Sequence, residues 1–144
     1  MKIKIYTDGG SRGNPGPSAI GVVIIQEGEA SKKYGEYIGE GTNNQAEYKA
    51  VIFALKKVKQ LFGKQKAKEV EMTVFSDSEL LVKHINHQYK IKEGELQFLF
   101  LEVWNLMLDF NQVNFQHTLR EKNKEADEMV NRALDEKANK QSLL

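Results

Sequence analysis

The segment that decides the fold is KIKIYTDGGSRGNPGPSAIGVVIIQ, residues 2–26. Residues 2–7 alternate polar and apolar side chains, so we predict a strand with Ile3 and Ile5 on one face. Residues 19–26 form a mostly β-branched apolar run, which predicts a central strand buried on both faces. The glycines and prolines between the two runs are typical of a turn. The chain therefore opens with two strands of one sheet.

Beyond this segment, strand and helix patterns follow one another along the chain. We predict a strand at 32–39, a helix at 42–62, a strand at 70–76, helices at 78–86 and 95–110, a strand at 113–117 and a helix at 123–137. Three successive strands followed by βαβ crossovers indicate an α/β fold with a mixed sheet flanked by helices. Its first three strands should be antiparallel and the later ones parallel.

Composition limits the possible classes of protein. The chain has 144 residues, which fits one domain at 1–137 with a frayed tail at 138–144. It has no cysteine, which excludes disulfides and thiolate metal sites. The start of the chain lacks the apolar run of a signal peptide, and no stretch approaches the roughly 18 apolar residues of a membrane span. We therefore expect a cytoplasmic protein with no membrane partner.

The net charge of +1 does not point to any partner, but the lysines are unevenly distributed. One cluster comprises Lys56, Lys57, Lys59, Lys64, Lys66 and Lys68. It fits either a solvated helix end and loop, the commoner case, or a patch that contacts phosphates.

Two acidic residues occupy helix positions that a core would not favour. Glu47 lies one turn before Val51, and Asp127 lies three residues before Val130. Each acid is therefore predicted to share the helix stripe that faces the core. An alternative is that Glu47 only stabilises the first turn of its helix and that Asp127 is an exposed helix acid.

Two further acids, Asp8 and Asp77, follow predicted strands directly. If those strands are parallel neighbours, both side chains open into the crevice beyond the strand ends, where open α/β sheets bind ligands. Strand-end aspartates are also common in ordinary turns. Four converging carboxylates would repel one another and would need a cation, and ligand sets of oxygen alone suit magnesium or manganese.

The sequence resembles type 1 ribonuclease H over about residues 3–137. The matching motifs, in chain order, are Tyr-Thr-Asp-Gly-Gly at 6–10, Asn-Pro-Gly at 14–16, Thr-Asn-Asn-Gln-Ala-Glu-Tyr at 42–48, Phe-Ser-Asp-Ser at 75–78, Tyr-Lys-Ile-Lys at 89–92, Arg-Glu-Lys-Asn at 120–123 and Ala-Asp at 126–127. The resemblance implies a mixed five-stranded sheet and an endoribonuclease that cuts the RNA strand of RNA/DNA hybrids, leaving 5′-phosphate and 3′-hydroxyl ends.

The resemblance also implies roles for individual residues. Two divalent ions, Mg²⁺ or Mn²⁺, are expected at the site with substrate bound, with Asp8 bridging both and Glu47, Asp77 and Asp127 completing their shells. The expected contacts to the hybrid are Gly9, Gly10, Asn14, Asn43 and Asn44 across its minor groove, Thr42 at a DNA phosphate, and Ser78 and Glu79 beside the RNA. We expect the protein to act as a monomer.

Two departures from the family pattern concern substrate binding. Glu79 stands where the family usually carries glutamine, and its extra negative charge should weaken binding of the hybrid. Between Tyr89 and Leu96 there is no room for the basic helix and loop by which some members grip the hybrid.

Many family members also use a histidine ahead of the last acid to assist product release. His117, ten residues before Asp127, fits that spacing, but it also ends a predicted strand, and Arg120 is the alternative. His84 and His87 are interpreted as surface residues.

Two rival functions remain open. A relative of the same fold could cut other nucleic acids, as integrase-like nucleases do, but the glycine and asparagine set argues against it. A non-catalytic or weakly active hybrid-binding module is the other rival. A pure binding module would gain nothing from repelling carboxylates beside a phosphate backbone.

Overall fold

The computed structural model describes residues 1–142 and contains one five-stranded mixed sheet. Its strands are β1 (Lys2–Ser11), β2 (Gly16–Gln26), β3 (Lys32–Gly41), β4 (Glu71–Ser76) and β5 (Gln112–His117). Their order across the sheet is β3-β2-β1-β4-β5. The first three strands pair antiparallel, whereas β4 is parallel to both β1 and β5. The predicted sheet is thereby confirmed.

Helices cover the sheet from both sides. They are α1 (Asn43–Phe62), α2 (Lys64–Ala67), α3 (Glu79–Ile85), α4 (Gly94–Met107) and α5 (Lys124–Ser142), with a 3₁₀ turn at Arg120–Lys122. Helix α1 packs against β1, β2 and α4, and α5 packs against β2 and β3. Within residues 1–142, no helix is both long and apolar enough to cross a membrane.

The main core lies between α1 and the sheet, where Ile5, Val51 and Leu55 are fully buried. Helix α1 begins at a reciprocal cap that sets its position. The Thr42 hydroxyl accepts a hydrogen bond from the Gln45 N–H at 3.1 Å, and the Gln45 side chain accepts one from the Thr42 N–H at 2.9 Å. This capping box satisfies two N–H groups that a helix start would otherwise leave unpaired.

Helix α5 continues to Ser142, beyond residue 137, where we predicted that a frayed tail begins. Ala138, Lys140 and Gln141 are good helix formers, and no glycine or proline interrupts the helix. Residues 143 and 144 lie outside the described part of the chain.

The interpretation of His84 as a surface residue is also wrong, because its side chain is buried in the core face of α3. His84 lies three residues after the buried Leu81, so the helix period turns it inward. Its Nδ1 lies 2.8 Å from the Tyr48 hydroxyl, which gives the ring a polar partner, and burial lowers the pKa of His84. His87 is exposed, as expected.

Candidate active site

Four acidic side chains from four different elements meet at one end of the sheet. Asp8, Glu47 and Asp77 each place a carboxylate oxygen within 4.8 Å of the others. Asp127 lines the same cavity, of about 440 Å³, and its charge raises the pKa of Asp8. The chain therefore brings together all four acids that the sequence singled out.

Strand register places the two aspartates side by side. The parallel pairing of β1 with β4 ends at Thr7 and Ser76, and Asp8 and Asp77 are the next residues. Strand β1 itself continues to Ser11 through its pairing with β2, so Asp8 lies inside a longer hairpin than we predicted. Both acids still open at the carboxyl ends of parallel strands, where such sheets place their ligands.

Gly9 allows α1 to approach β1 closely enough for Glu47 to join the cluster. A Cβ at Gly9 would overlap the backbone of Ala46 and Glu47. The Gly9 backbone lowers the pKa of the Glu47 carboxyl group against larger opposing effects. Any side chain at position 9 would push away the helix that carries Glu47.

Asp127 differs from its predicted placement. The residues of α5 that face the core are Ala126, Val130, Ala133 and Leu134, whereas Asp127 is exposed at the edge of this stripe. Gly21 pairs with Asp8 across β1 and β2, and a Cβ there would overlap the Ala126 carbonyl oxygen. Because position 21 has no side chain, α5 sits against the sheet and holds Asp127 beside Asp8.

Burial and mutual repulsion favour the protonated forms of the two inner carboxyl groups, those of Asp8 and Glu47. Only 7% of Asp8 and 8% of Glu47 is exposed. Burial, followed by the charges of Asp77 and Asp127, raises the pKa of Asp8 from 3.8 to about 7. Burial, followed by the charges of Asp8 and Asp77, raises the pKa of Glu47 well above its usual value.

The donor set fits a divalent cation. Glu47 Oε2 is buried and has no hydrogen-bond partner in the protein, which is costly unless something else binds the oxygen. The cluster offers carboxylate oxygens alone, which magnesium and manganese prefer. A cation there would offset the repulsion that raises the two pKa values.

The residues predicted to contact substrate flank the cavity on the α1 side. Asn43 accepts a hydrogen bond from the Ser11 N–H at 2.9 Å, and its own N–H donates to the Asn14 side chain at 3.1 Å. These contacts tie the loop after β1 to the start of α1. Gly10 and Asn43 line the cavity, Asn44 is half-buried, and Thr42 is occupied in capping α1.

Ser78 and Glu79 stand at the start of α3. The Ser78 hydroxyl caps the helix by accepting from the Leu81 N–H at 3.2 Å. Glu79 is exposed and pairs with Lys83 one turn later, with 2.6 Å between Oε1 and Nζ. That hydrogen bond and charge lower the pKa of Glu79. Lys83 Nζ also donates to the Tyr89 hydroxyl at 3.1 Å.

The two candidates for product release lie in different places. Arg120 lines the carboxylate cavity, whereas His117 is exposed at the end of β5 and is not among its lining residues.

Sequence reasoning missed two residues of the site: Gly21, against which α5 packs, and Asn123, whose side-chain amide donates to Asp77 Oδ2 at 3.4 Å. Gly21 looked like an ordinary residue of a buried strand, and Asn123 looked like part of a motif without a role of its own. The signal for Gly21 was a glycine in the middle of an apolar strand, which is typical of a close backbone approach.

A mixed five-stranded sheet with acids at the ends of two neighbouring parallel strands defines the ribonuclease H-like class of proteins. The family described as reverse transcriptase-like matches residues 6–133. Ribonuclease HI of Halobacterium salinarum is 35% identical over 136 residues, covering 94% of this chain and 65% of that protein. The chain belongs to the type 1 ribonuclease H family, which is metal-dependent.

Solved structures agree with this assignment. LC11-RNase H1, solved in complex with an RNA/DNA hybrid, has a TM-score of 0.88 and 44% identity, covering 94% of this chain and 99% of that chain. RNase H1 from Halobacterium salinarum has a TM-score of 0.85 and 33% identity, with the same coverage. A bifunctional protein of Mycobacterium tuberculosis is 34% identical over 137 residues, but this chain spans only 36% of its length.

Proposed function

We propose that this chain is an endoribonuclease that hydrolyses the RNA strand of RNA/DNA hybrids. The observation that carries the proposal is the convergence of Asp8, Glu47, Asp77 and Asp127 on one cavity. The loop and α1 residues that flank this cavity match the family's hybrid contacts. The relative with 44% identity was solved with such a hybrid, which supports the same substrate class here.

The metal requirement of the site follows from its charge. Asp8, Glu47, Asp77 and Asp127 would hold Mg²⁺ or Mn²⁺, two ions with substrate bound. When bound, divalent ions neutralise charge on the phosphodiester and lower the pKa of water. The raised pKa values of Asp8 and Glu47 mean that cation binding must displace protons below about neutral pH.

Asn43 is suited to recognising RNA. Its Oδ1 is already occupied by the Ser11 N–H, so its amide NH₂ is the group left to bind substrate. The ribose 2′-hydroxyl can accept from that amide, and this hydroxyl distinguishes RNA from DNA. The Asn14 side chain accepts a hydrogen bond from the Asn43 backbone N–H, so Asn14 helps to position Asn43.

Arg12 and Arg120 are the basic residues that line the cavity, and Arg12 is already paired with Asp135, whereas Arg120 lies beside the carboxylates. It is placed to neutralise charge on the phosphate that hydrolysis leaves at the 5′ end of the product. Its position favours Arg120 over His117 for assisting product release, and the small single domain is consistent with action as a monomer.

One assay tests the proposal and separates it from its rivals. Labelled RNA/DNA hybrid, duplex RNA and duplex DNA are each incubated with the protein and Mg²⁺ or Mn²⁺, and the ends of the products are analysed. We expect cleavage of the hybrid RNA strand alone, with 5′-phosphate and 3′-hydroxyl ends. Cleavage of duplex DNA would instead indicate an integrase-like nuclease, and binding without cleavage would indicate a binding module.

A further inference from the structure

Asn123 connects the elements that carry three of the four acids. Its side chain is 1% exposed. The amide nitrogen donates to the carbonyl oxygen of Thr7, the residue before Asp8, at 2.8 Å, and to Asp77 Oδ2 at 3.4 Å. Its backbone carbonyl accepts the N–H of Asp127 at 3.1 Å. One residue thereby touches β1, the end of β4 and the first turn of α5.

The orientation of this amide is settled by its neighbours. The Thr7 carbonyl and the Asp77 carboxylate can only accept hydrogen bonds, so the NH₂ group must face them. The amide oxygen, Oδ1, then points elsewhere and is buried with no hydrogen-bond partner in the protein. An asparagine just before a helix usually caps it, because its side-chain oxygen accepts a hydrogen bond from a backbone N–H of the first turn. The Asn123 oxygen makes no such bond. The side-chain NH₂ group instead hydrogen-bonds to Thr7 and Asp77.

We infer that Asn123 is a positioning residue that holds Asp77 and the Asp8 backbone at the spacing a divalent cation requires. The inference rests on the proposed metal-dependent cleavage. An unpartnered buried oxygen lowers stability, so packing alone does not explain an amide at this position. Groups that hold metal ligands in place typically change metal affinity or activity by about 10–100-fold when removed.

Two substitutions at Asn123 test this role. Asn123→Ala removes the amide, and Asn123→Leu removes it while keeping most of the side-chain volume. The control is Asn86→Ala, because Asn86 donates a similar bond to the Phe115 carbonyl, at 3.1 Å, outside the carboxylate cavity. Mn²⁺ binding is measured by calorimetry without nucleic acid, together with kcat and KM on one defined hybrid.

We expect both Asn123 variants to bind Mn²⁺ at least about tenfold more weakly, with Asn86→Ala within about twofold of wild type. At subsaturating metal, kcat should fall and should recover partly as metal is added, while the KM for hybrid changes little. Mn²⁺ affinity unchanged in both Asn123 variants would overturn the inference, even if they unfold more easily. Wild-type protein that neither binds Mn²⁺ nor cleaves hybrid would instead refute the proposed function.

A measurement on the wild-type protein covers the case in which both variants fail to fold. The side-chain NH₂ resonances of Asn123 and Asn86 are followed by NMR during a Mg²⁺ titration. The Asn123 resonance should move with the midpoint of Mg²⁺ binding, because its acceptor on Asp77 becomes a metal ligand, and the Asn86 resonance should not. An Asn123 resonance that stays in place while Mg²⁺ binds would contradict the positioning role.

Discussion

The Asp8 carboxyl group is surrounded by three other carboxyl groups, and this crowding makes its charge dependent on a cation. If Asp8 holds the catalytic ions, Asp8→Asn should remove nearly all cleavage of a hybrid, because the amide binds metal weakly and carries no charge. Rates of hybrid cleavage with saturating Mg²⁺ or Mn²⁺ measure this. Glu128→Gln, which neutralises an exposed acid on α5, is the control and should be near wild type. Cleavage by Asp8→Asn within about threefold of wild type would disprove the assignment.

The same residue predicts how the stability of the metal-free protein depends on pH. The folded-state pKa of Asp8 is about 7 against an ordinary value of 3.8, so the folded protein binds this proton more tightly than the unfolded chain. Below about pH 4 the group is protonated in both states and carries no penalty. As pH rises toward 7, the unfolded chain ionises first and the folded protein loses stability.

We therefore expect Asp8→Asn to be more stable than wild type at about pH 8 without metal, by on the order of 2 kcal/mol, and nearly equal at about pH 4. Denaturant unfolding in the presence of a chelator at both pH values measures this. A difference that does not change with pH would show that the pKa of Asp8 is not raised in the folded protein. Adding Mn²⁺ at pH 8 should reverse the order, because the ion binds the folded wild type.

Glu79 is a second residue whose charge matters for binding. It is exposed and engages Lys83, which would otherwise be available to an anionic substrate. Glu79→Gln should therefore lower the KM for hybrid severalfold and leave kcat nearly unchanged, since the change affects binding rather than the chemical step. Lys83→Gln is the matched control and should raise KM. An unchanged KM for Glu79→Gln at low salt, where screening is weakest, would show that Glu79 serves only α3.

For single residues, sequence reasoning predicted those whose chemical type is unusual for their position in a strand or helix. Acids at strand ends stand out in Asp8 and Asp77, and their meeting depends only on which strands are parallel neighbours. Asn123 and His84 could not be assigned in the same way, because their partners are distant in sequence: Thr7 and Asp77 for one, Tyr48 for the other. Only the packed structure brings those partners together.

Among the secondary-structure elements, α5 is the one whose position decides whether the site is complete. It rests against the sheet where Gly21 faces Ala126, and Asp127 follows directly. Gly21→Ala should lift α5 off β2, lowering stability by about 1–3 kcal/mol through overpacking. Cleavage should fall further than the loss of folded protein explains, because Asp127 moves away from Asp8.

Gly94→Ala is the control for this change. Gly94 is in α4, and a Cβ there meets nothing within 4 Å, so the effect should lie between none and about 1 kcal/mol of stabilisation. Unfolding free energy and kcat/KM, measured on both variants under saturating metal, give the comparison. Full activity per folded molecule in Gly21→Ala would show that Asp127 does not depend on this contact.

Element boundaries show what local patterns can and cannot predict. The order and type of the main strands and helices follow from periodicity, and the structure agrees with them. The extension of β1 to Ser11 and the start of β2 at Gly16 were missed, because glycine, serine and proline have little strand propensity. Their strand conformation comes from hydrogen bonding between the two strands, which is a property of the pair.

Across the whole molecule, the lysine cluster and the carboxylates lie at opposite ends of α1. Lys59 is twelve residues after Glu47 along the helix, which corresponds to about 18 Å. Several of these lysines are also engaged: Lys59 pairs with Asp109 at 3.0 Å, and Lys57 lies over the rings of Tyr34 and Phe53. The cluster thus does not extend the substrate-binding side of the cavity.

This distribution of charge predicts how hybrid binding depends on salt. Each phosphate that a basic side chain neutralises steepens the slope of log affinity against log salt. The chain lacks the basic segment between Tyr89 and Leu96, and near the cavity the basic side chains are Arg12 and Arg120, the first already paired with Asp135. We expect a slope equivalent to about three to five phosphate contacts, measured on Asp8→Asn to prevent cleavage.

Charge reversal of Lys57 and Lys59 should leave that slope unchanged, because those side chains lie far from the cavity. A slope equivalent to eight or more contacts that falls on this charge reversal would contradict the prediction. It would mean that the hybrid extends along the whole length of α1 and that the lysine cluster replaces the missing basic segment.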